Sequence, residues 1–445
     1  MNSGILFRVM SVVAACGLVS GPAWAGDHLA HAFSRNRGDV AQALAAQLDR
    51  PLPAAASHFF SIAASGDWAA VSNAFLTLRT PGNHYLQIPT LRNELWAPAH
   101  EALGFWEVWE AWKHDTNLLA RYSEPILNAM PAGSIYFGGT DQGRFVITAA
   151  NAARTPPPVF AITQNQLADN TYAAHLRALY GKELWMPTQE DSNRIFADFV
   201  ASVQTNDALG AGVVCRDGRV SVQGIEGVMM INGLIAREIH DRNKAAHPFF
   251  VEESYVIDWM YPYLTPKNLI MELHPEPLDT LPEELIARDR AFWAYYEKAL
   301  FDTPGFAENE AARIAFSKLR SAIGGLYAYR KLHVEAEDAF RQAIRLYPAS
   351  PEASMRLSSM FETQGRLPEA VAVMEAFVAT GSQFGLDKAE GRLAELRHRM
   401  APDEFPPPPP IAPAAPAVAK PVEDKDAGYT ADDFGFPEEG KDQAP

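Results

Sequence analysis

Apolar residues are spaced differently in three parts of the chain. At positions 26–132 and 281–400 they recur every three or four residues, the spacing of a helix with one buried face. At positions 133–275, short apolar runs alternate with helical patterns of about 10–15 residues. The pattern predicts an α/β domain in the middle of the chain, with a mostly parallel sheet built from βαβ units.

The central part contains several candidate strands separated by helices. The strands are expected at 134–137, 159–163, 184–186, 249–252 and 269–273. The helices are expected at 144–153, 171–179, 192–203 and 224–241. The segment 213–222 forms either an additional hairpin, turning at Asp217-Gly218, or a loop.

Helices are also predicted on both sides of this domain. In the region 26–132 they are expected at 39–48, 53–64 and 68–79, with Asp67 at the N-cap position of the last one. Four aromatic residues follow at helical spacing and are interpreted as packing residues: Phe105, Trp106, Trp109 and Trp112. The segment 276–316 is again helical and aromatic-rich, which predicts connecting helices.

A repeat of 34 residues starts at Ser317 and again at Pro351. The first copy matches the tetratricopeptide pattern at positions 7, 8, 11, 20, 24, 27 and 32 with Ile323, Gly324, Tyr327, Ala336, Phe340, Ala343 and Pro348. The second copy offers Leu357, Ser358, Phe361, Gly365, Ala370, Met374 and Phe377, and it departs from the pattern at Ser358 and Phe377. Region 317–400 is therefore predicted to hold two all-α tetratricopeptide-type repeats and a cap helix at Leu386–Met400.

The first 25 residues have the features of a secretory signal peptide. A short start with Arg8 precedes an apolar stretch at 9–20, and the small-x-small sequence Ala-Trp-Ala occupies 23–25. Cleavage after Ala25 would give a periplasmic or secreted protein without a transmembrane segment. Two other interpretations are weaker: a buried N-terminal helix, and a lipoprotein anchored at Cys16.

Cleavage after Ala25 has two chemical consequences. It leaves Cys215 as the single thiol, which cannot form an internal disulfide and is expected to be buried and inert. It also places His28 third in the mature chain, where the α-amine, two backbone amides and the imidazole form a square-planar set suited to Cu(II) or Ni(II). His28 is therefore a candidate metal ligand.

The last part of the chain, 401–445, is proline-rich and acidic. It contains ten Asp or Glu and three Lys, so its net charge is 3 − 10 = −7. Five consecutive prolines at 406–410 favour polyproline II structure. Low apolar content together with net charge predicts a disordered tail.

Composition and missing motifs exclude several classes of protein. The chain has 445 residues and a net charge of −16, so the basic surface of a nucleic-acid-binding protein is missing. Its two cysteines exclude a disulfide-stapled scaffold. The segment 138–143 has phosphate-loop spacing, but Arg144 and Phe145 stand where Lys and Ser or Thr are required. We therefore predict no cofactor, and the sequence favours a protein without enzymatic activity but does not decide the point.

Polar residues follow the predicted strands in unusual number. In an open α/β sheet, ligands bind outside the carboxyl ends of the strands, so these residues predict a crevice for a polyol, sugar or peptide. The candidate ligand-binding residues are Thr140, Asp141, Arg144, Asn165, Asn170, Asp191, Asn193, Glu253 and Tyr255. Helix capping is the competing interpretation, because Asp, Asn, Ser and Thr are preferred at helix starts. Glu252 and Glu253 are strand neighbours facing opposite sides, so they do not form an acid–base pair.

Two sequence segments resemble a known group of proteins. The first is Ser-Ile-Tyr-Phe-Gly-Gly-Thr-Asp-Gln-Gly-Arg-Phe at 134–145, and the second is Thr-Gln-Asn-Gln-Leu-Ala-Asp-Asn-Thr-Tyr at 163–172. They are similar to a family of uncharacterised bacterial exported proteins, and the resemblance extends over about 67–380. It implies an α/β domain followed by tetratricopeptide repeats. More distantly, the first segment resembles soluble domains of membrane glycosyltransferase-like proteins, in which Asp141 matches an Asp.

These patterns lead to two functional hypotheses. The first is an exported, periplasmic protein that binds a protein partner through the tetratricopeptide surface. The second is an enzyme or binding module that acts on an envelope glycan, or another polar small molecule, through the strand-end crevice. The second hypothesis is favoured if six side chains converge in one pocket: Asp141, Arg144, Asn165, Asn170, Asp191 and Glu253. If they disperse into separate helix caps, the first is favoured.

Overall fold

The computed structural model of the chain describes residues 29–47, 49–78, 96–139, 141–154, 156–205, 213–216, 219–222, 225–252, 257–382 and 384–401. The helices before the sheet are α1 Leu29–Gln47, α2 Ala54–Ala63, α3 Trp68–Leu76, α4 Trp96–Ala111 and α5 Thr116–Ala129. The helices within the α/β region are α6 Asp141–Ala152, α7 Asn170–Tyr180, α8 Gln189–Thr205 and α9 Ile225–Asn243. The helices after it are α10 Glu283–Phe301, α11 Glu310–Tyr329, α12 His333–Leu346, α13 Pro351–Thr363, α14 Leu367–Val378 and α15 Leu386–Met400.

The strands form one five-stranded sheet and one separate hairpin. They are β1 Ser134–Gly138, β2 Val159–Thr163, β3 Val213–Arg216, β4 Arg219–Val222, β5 Phe249–Glu252, β6 Leu264–Lys267 and β7 Ile270–Leu273. The sheet has the order β2-β1-β5-β7-β6. Strand β1 pairs in parallel with β2 and with β5, whereas β7 pairs antiparallel with β5 and β6. The α/β class is therefore confirmed, but the sheet is mixed rather than mostly parallel.

The predicted strand at 184–186 is wrong. Leu184 and Met186 are buried, as expected of an apolar run, but the segment between α7 and α8 pairs with no strand in the described part of the chain. The side-chain amide of Asn243 takes the place of a neighbouring strand. Its Oδ1 accepts from the Trp185 backbone N–H at 2.8 Å, and its Nδ2 donates to the Trp185 carbonyl at 2.9 Å.

Two hairpins extend the predicted β structure. Strands β6 and β7 are joined by a two-residue turn in which Asn268 has φ 59°, a left-handed conformation that Asn tolerates in tight turns. Strand β6 contains Pro266, which has no backbone N–H to donate. Proline is tolerated here because β6 lies at the edge of the sheet. Strands β3 and β4 pair as a hairpin, which was one of the two alternatives predicted for 213–222. Cys215 is in β3, but its side chain is not among those that the structure describes, so its predicted burial is not tested.

All three helices predicted before the sheet are present, but α1 begins at Leu29, ten residues before its predicted start, and α3 ends at Leu76 rather than 79. Asp67 is the N-cap of α3, and its carboxylate accepts from the Ala70 backbone N–H at 2.9 Å. All four aromatic residues of the predicted packing set are at most 5% exposed. The Trp106 indole N–H donates to the Ala63 carbonyl at 3.1 Å, which joins α4 to the end of α2.

After the connecting helix α10, five helices follow one another. α11 packs on α12, α13 on α14, and α15 on α14, so the chain forms two helical hairpins and a final helix. Ala336 and Ala343 are fully buried between α11 and α12. A Cβ at Gly324 would lie 2.8 Å from the Phe340 ring, so this position needs a residue without a side chain. The helical repeats expected from the sequence are therefore consistent with the structure.

Several sequence predictions concern residues outside the description. The predicted signal peptide, Cys16 and His28 lie before Leu29, and most of the predicted tail lies after Ala401. Among the helices that the structure does describe, none combines the length and apolar character needed to cross a bilayer.

Candidate functional site

The carboxyl ends of three parallel strands lie side by side. Gly138, the last residue of β1, is in register with Thr163 at the end of β2 and with Glu252 at the end of β5. The chain passes from β1 to β2 on one side of β1, and it later returns to β5 on the other side. Such a change of direction is where ligands bind in open α/β sheets. We call this place the strand-end edge.

Glu252 is the most completely buried carboxylate at the strand-end edge. It is 1% exposed, and its Oε1 accepts from the Tyr122 hydroxyl at 2.7 Å while Oε2 accepts from the Tyr136 hydroxyl. Tyr136 lies two residues before Gly138, so it shares a face of the sheet with Glu252, and α5 supplies Tyr122. Two donors hold the carboxylate in one orientation.

Gly143 lets α6 approach this carboxylate. It is the third residue of α6, and a Cβ at this position would overlap both carboxylate oxygens of Glu252. The first turn of a helix is a favourable environment for a negative charge. Only glycine gives the carboxylate room there, so the glycine-rich segment after β1 shapes a carboxylate site rather than a phosphate loop.

The candidate residues after β1 and β2 follow strand ends that are in register with the end of β5. Asp141 begins α6, although its side chain, like Thr140, is outside the description. Arg144 is buried and its guanidinium lies 4.3 Å from the Phe145 ring centroid. Asn165 donates through Nδ2 to the Gly139 carbonyl at 3.0 Å, which ties the loop after β2 to the loop after β1.

Gln164 is a buried amide that belongs to the polar residues after the second predicted strand but not to the set of candidate ligand-binding residues. It follows β2 directly and is 0% exposed, and within the described residues neither its Oε1 nor its Nε2 has a hydrogen-bond partner. A buried polar group without a partner costs about 1–3 kcal/mol, so such groups in native proteins mark bound water, a ligand or strain. The strand-end edge therefore has hydrogen-bonding capacity that the described protein atoms leave unused.

A second polar cluster lies behind the end of β2. The Tyr172 hydroxyl accepts from the Thr163 backbone N–H at 2.8 Å, and its ring stacks on His175. His175 is fully buried, and Glu101 lies 3.8 Å away, itself paired with Arg37 at 2.6 Å. Burial lowers the pKa of His175 to about 4, and the carboxylate of Glu101 offsets only part of that effect. The imidazole is therefore neutral at physiological pH, and its contact with Glu101 is not an ion pair.

The candidates on α7 and α8 lie at or near the N-terminal ends of these helices. Asp191 and Thr188 form a capping box at the start of α8: Asp191 accepts from the Thr188 backbone N–H at 3.0 Å, and Thr188 Oγ1 accepts from the Asp191 N–H at 3.1 Å. The hydrogen bonds that the Thr188 backbone N–H and hydroxyl donate to the Asp191 carboxylate lower its pKa. Asn193 is exposed and bonded to Gln189, and Asn170 is the half-buried first residue of α7. Since no strand precedes α8, Asp191 and Asn193 are not placed at the strand-end edge.

Other candidates cannot be placed. Glu253 and Tyr255 follow β5 but lie outside the described residues, as does His28. Among the side chains that are described, no group of three or more His, Cys, Asp or Glu could hold a metal ion.

A groove crosses the helical repeats and has a volume of about 420 Å³. Its lining residues come from α11, α12 and α13: Gly325, Ala328, His333, Phe340, Met355, Arg356, Ser359, Met360 and Thr363. We call it the repeat groove. The Arg356 guanidinium donates to the Ser321 carbonyl at 3.3 Å, and Tyr261 of the α/β region approaches from the other side at Gly325.

Comparison with known proteins adds no relative. No protein-family model, curated protein or solved structure matches the chain. The resemblance to exported bacterial proteins stays a prediction, and the functional inference depends on the geometry of the two sites.

Proposed function

We propose that this chain is an exported interaction protein in which the helical hairpins α11–α15 are tetratricopeptide-type repeats and the repeat groove binds a segment of a protein partner. The buried positions of the repeat pattern support this assignment. Ala336, Ala343 and Phe340 are at most 1% exposed, as small and large positions between paired helices should be. The signal-peptide pattern of residues 1–25 supports export.

The composition of the repeat groove is the observation that carries this proposal. Half-buried Met355 and Ala328 supply apolar surface, and Arg356 supplies a positive charge, whereas Phe340 and Met360 are only 1% and 6% exposed. None of the nine lining residues is acidic, although the chain as a whole carries a net charge of −16. Tyr329 and Val334, which are next in sequence to the lining residues Ala328 and His333, are 50% and 69% exposed. Apolar side chains together with a cation and no acid suit a partner segment that carries apolar and acidic side chains.

The repeat groove is also held in a fixed position. At the end of α11, the Arg330 guanidinium donates to the carbonyl of Pro262 in the α/β region at 2.6 Å and to that of Leu278 in the following segment at 2.5 Å. Arg320 of α11 pairs with Asp289 of α10 at 2.7 Å, and both side chains are at most 1% exposed. A preformed groove loses less conformational freedom on binding, which favours affinity.

A photo-crosslinking experiment tests the proposal. A photoreactive amino acid is placed at Ser359, an exposed residue of the repeat groove, in cells that make the full chain. The proposal predicts a discrete crosslinked product with a second protein. The matched control carries the same amino acid at exposed Lys388 on α15, and it should lack this product. Equal products from both positions, or none from Ser359, would contradict the proposal.

A second function is favoured by Gln164. Its unpartnered amide at the strand-end edge suits a glycan or another polar small molecule, whose hydroxyls both donate and accept hydrogen bonds. The test uses envelope glycan fragments and the variant Gln164→Leu. Because leucine removes an unsatisfied buried amide, stability should be kept or raised while glycan binding is lost. If Gln164→Leu binds the fragments as the parent does, the crevice hypothesis is wrong.

A further inference from the structure

We propose that residues 429–436 of the chain's own acidic tail occupy the repeat groove when no partner is bound. This inference depends on the proposed function, since it names a regulator of the same groove. It rests on four observations: the capacity of the groove, the side chains of the tail, the charges of both and the length of chain between them.

The repeat groove has room for aromatic side chains. A cavity of about 150 Å³ lined by apolar residues accommodates one benzene ring. The groove is open to solvent, and its volume of about 420 Å³ exceeds that of one such ring. Half-buried Met355 supplies an accessible apolar side chain, and the thioether of methionine interacts favourably with aromatic rings.

The tail offers aromatic residues in an acidic setting. Tyr429, Phe434 and Phe436 lie within eight residues of one another. Phe434 and Phe436 are two residues apart, so an extended backbone points both toward the same side. Acidic residues flank the three rings at Asp432, Asp433, Glu438 and Glu439. A segment with these rings can place apolar groups in a groove while its carboxylates stay at the rim.

The charges of the groove and the tail are complementary. Arg356 lines the groove, and exposed Lys331 lies two residues before the lining residue His333. The tail carries a net charge of −7 over positions 401–445. Because much of the remaining chain is also acidic, a groove without acidic lining is a surface where such a segment meets little repulsion.

The connecting chain is long enough to reach the groove. The description ends at Ala401, directly after α15, and Tyr429 lies 28 residues further along. Twenty-eight residues can extend to about 90 Å, which exceeds the width of several packed helices. Tethering gives an effective concentration on the order of 1 mM, so even a segment with a dissociation constant of about 100 µM would fill most grooves.

Crosslinking of the purified full chain tests this inference. The photoreactive amino acid is again placed at position 359, and the monomer is digested with trypsin after irradiation. Cleavage after Lys425 and Lys441 releases all three aromatic residues in one peptide, 426–441. We expect this peptide to be joined to position 359. With the same amino acid at Lys388, the yield of crosslinked peptide 426–441 should be at least about tenfold lower. This difference is expected because the tethered segment occupies the groove and not the surface around Lys388.

A tail variant supplies the second control. In the full chain, Tyr429→Ser, Phe434→Ser and Phe436→Ser together should lower the crosslink at 359 by at least about tenfold, because the contacts that fill the groove are lost. No crosslink to 426–441, an undiminished crosslink in the variant, or a crosslink found only in dimers would overturn the inference. In each of these cases a partner captured at 359 in cells would still support the proposed function. Conversely, a tail crosslink without any partner in cells would contradict the proposed function alone.

Discussion

Gly143 is the residue on which the packing around Glu252 depends most closely. A methyl group at this position would overlap a carboxylate that two tyrosine hydroxyls hold in place. We expect Gly143→Ala to lower the free energy of unfolding by about 1–3 kcal/mol, the usual cost of overpacking, even though alanine favours helices. Urea denaturation measures the change.

Gly391 provides the matched control for this prediction. It also lies inside a helix, α15, but a Cβ there would meet nothing within 4 Å. Gly391→Ala should therefore raise the free energy of unfolding by up to about 1 kcal/mol through helix propensity. If both variants are equally stable or both are stabilised, the close approach of α6 to Glu252 is wrong.

His175 gives the protein a specific dependence on pH. Its pKa of about 4 in the folded state is below the ordinary value of 6.5, so between these values the unfolded chain binds more protons. The free energy of unfolding therefore falls as pH falls, by about 2.5 kcal/mol between pH 7 and 4.5. The variant His175→Phe has no imidazole to titrate, so its free energy of unfolding should fall by about 2.5 kcal/mol less over the same pH range. Urea titrations at both pH values decide the matter, and equal losses in parent and variant would exclude a buried neutral His175.

At the same scale, sequence patterns could identify some site residues but not others. Asp191 follows Thr188 by three residues, a spacing that indicates a capping box, and the structure has that box. Glu252 was placed on its strand, but its tyrosine partners lie 130 and 116 residues away along the chain. Contacts at such separations depend on strand order and register, which local patterns do not determine.

At the scale of elements, α12 should be intolerant of charge on its buried face. Ala336 is fully buried between α11 and α12, so Ala336→Glu would place an unpaired carboxylate there. The expected loss is at least about 3 kcal/mol unless the group becomes neutral. Val334→Glu on the same helix is the control, because Val334 is 69% exposed and lies in the first turn, where acidic residues are favourable. Thermal unfolding of the two variants measures the difference, and similar melting temperatures would refute the register of the repeat.

Strands were predicted correctly where a short apolar run was enough to determine the local structure. Residues 159–163 and 249–252 are apolar runs buried in the sheet, and both strands form at the predicted bounds. The run at 184–186 is equally apolar, but the distant side chain of Asn243 satisfies its backbone. Strand β6 was missed because Pro266 argues against a strand unless the strand lies at an edge. In both failures the deciding contact is tertiary.

At the scale of the whole molecule, the N-terminus is the most direct test of location. The signal-peptide pattern predicts that the mature protein begins at Gly26, because Ala23 and Ala25 provide the small residues that signal peptidase needs. Mass spectrometry of the protein from the envelope fraction identifies the first residue. A chain beginning with acylated Cys16 would establish a lipoprotein, and an intact Met1 would exclude export through this segment.

The overall arrangement could be predicted only in part. Apolar periodicity indicated an α/β region followed by helical repeats, and the structure has both. The sequence does not encode strand order in any local pattern, so the antiparallel half of the sheet was missed. The repeat groove likewise depends on how α11, α12 and α13 pack together, and its lining residues are spread over 39 positions, 325–363.

The central claim is that the repeat groove is the surface through which this protein binds a partner. The most direct measurement is the affinity of the full chain for the partner segment captured at position 359, compared between Ser359→Trp, which fills the groove, and Lys388→Trp, which lies outside it. We expect Ser359→Trp to weaken binding by at least about tenfold, or about 1.4 kcal/mol, and Lys388→Trp to bind as the parent does. Equal affinities for the two variants would contradict the claim.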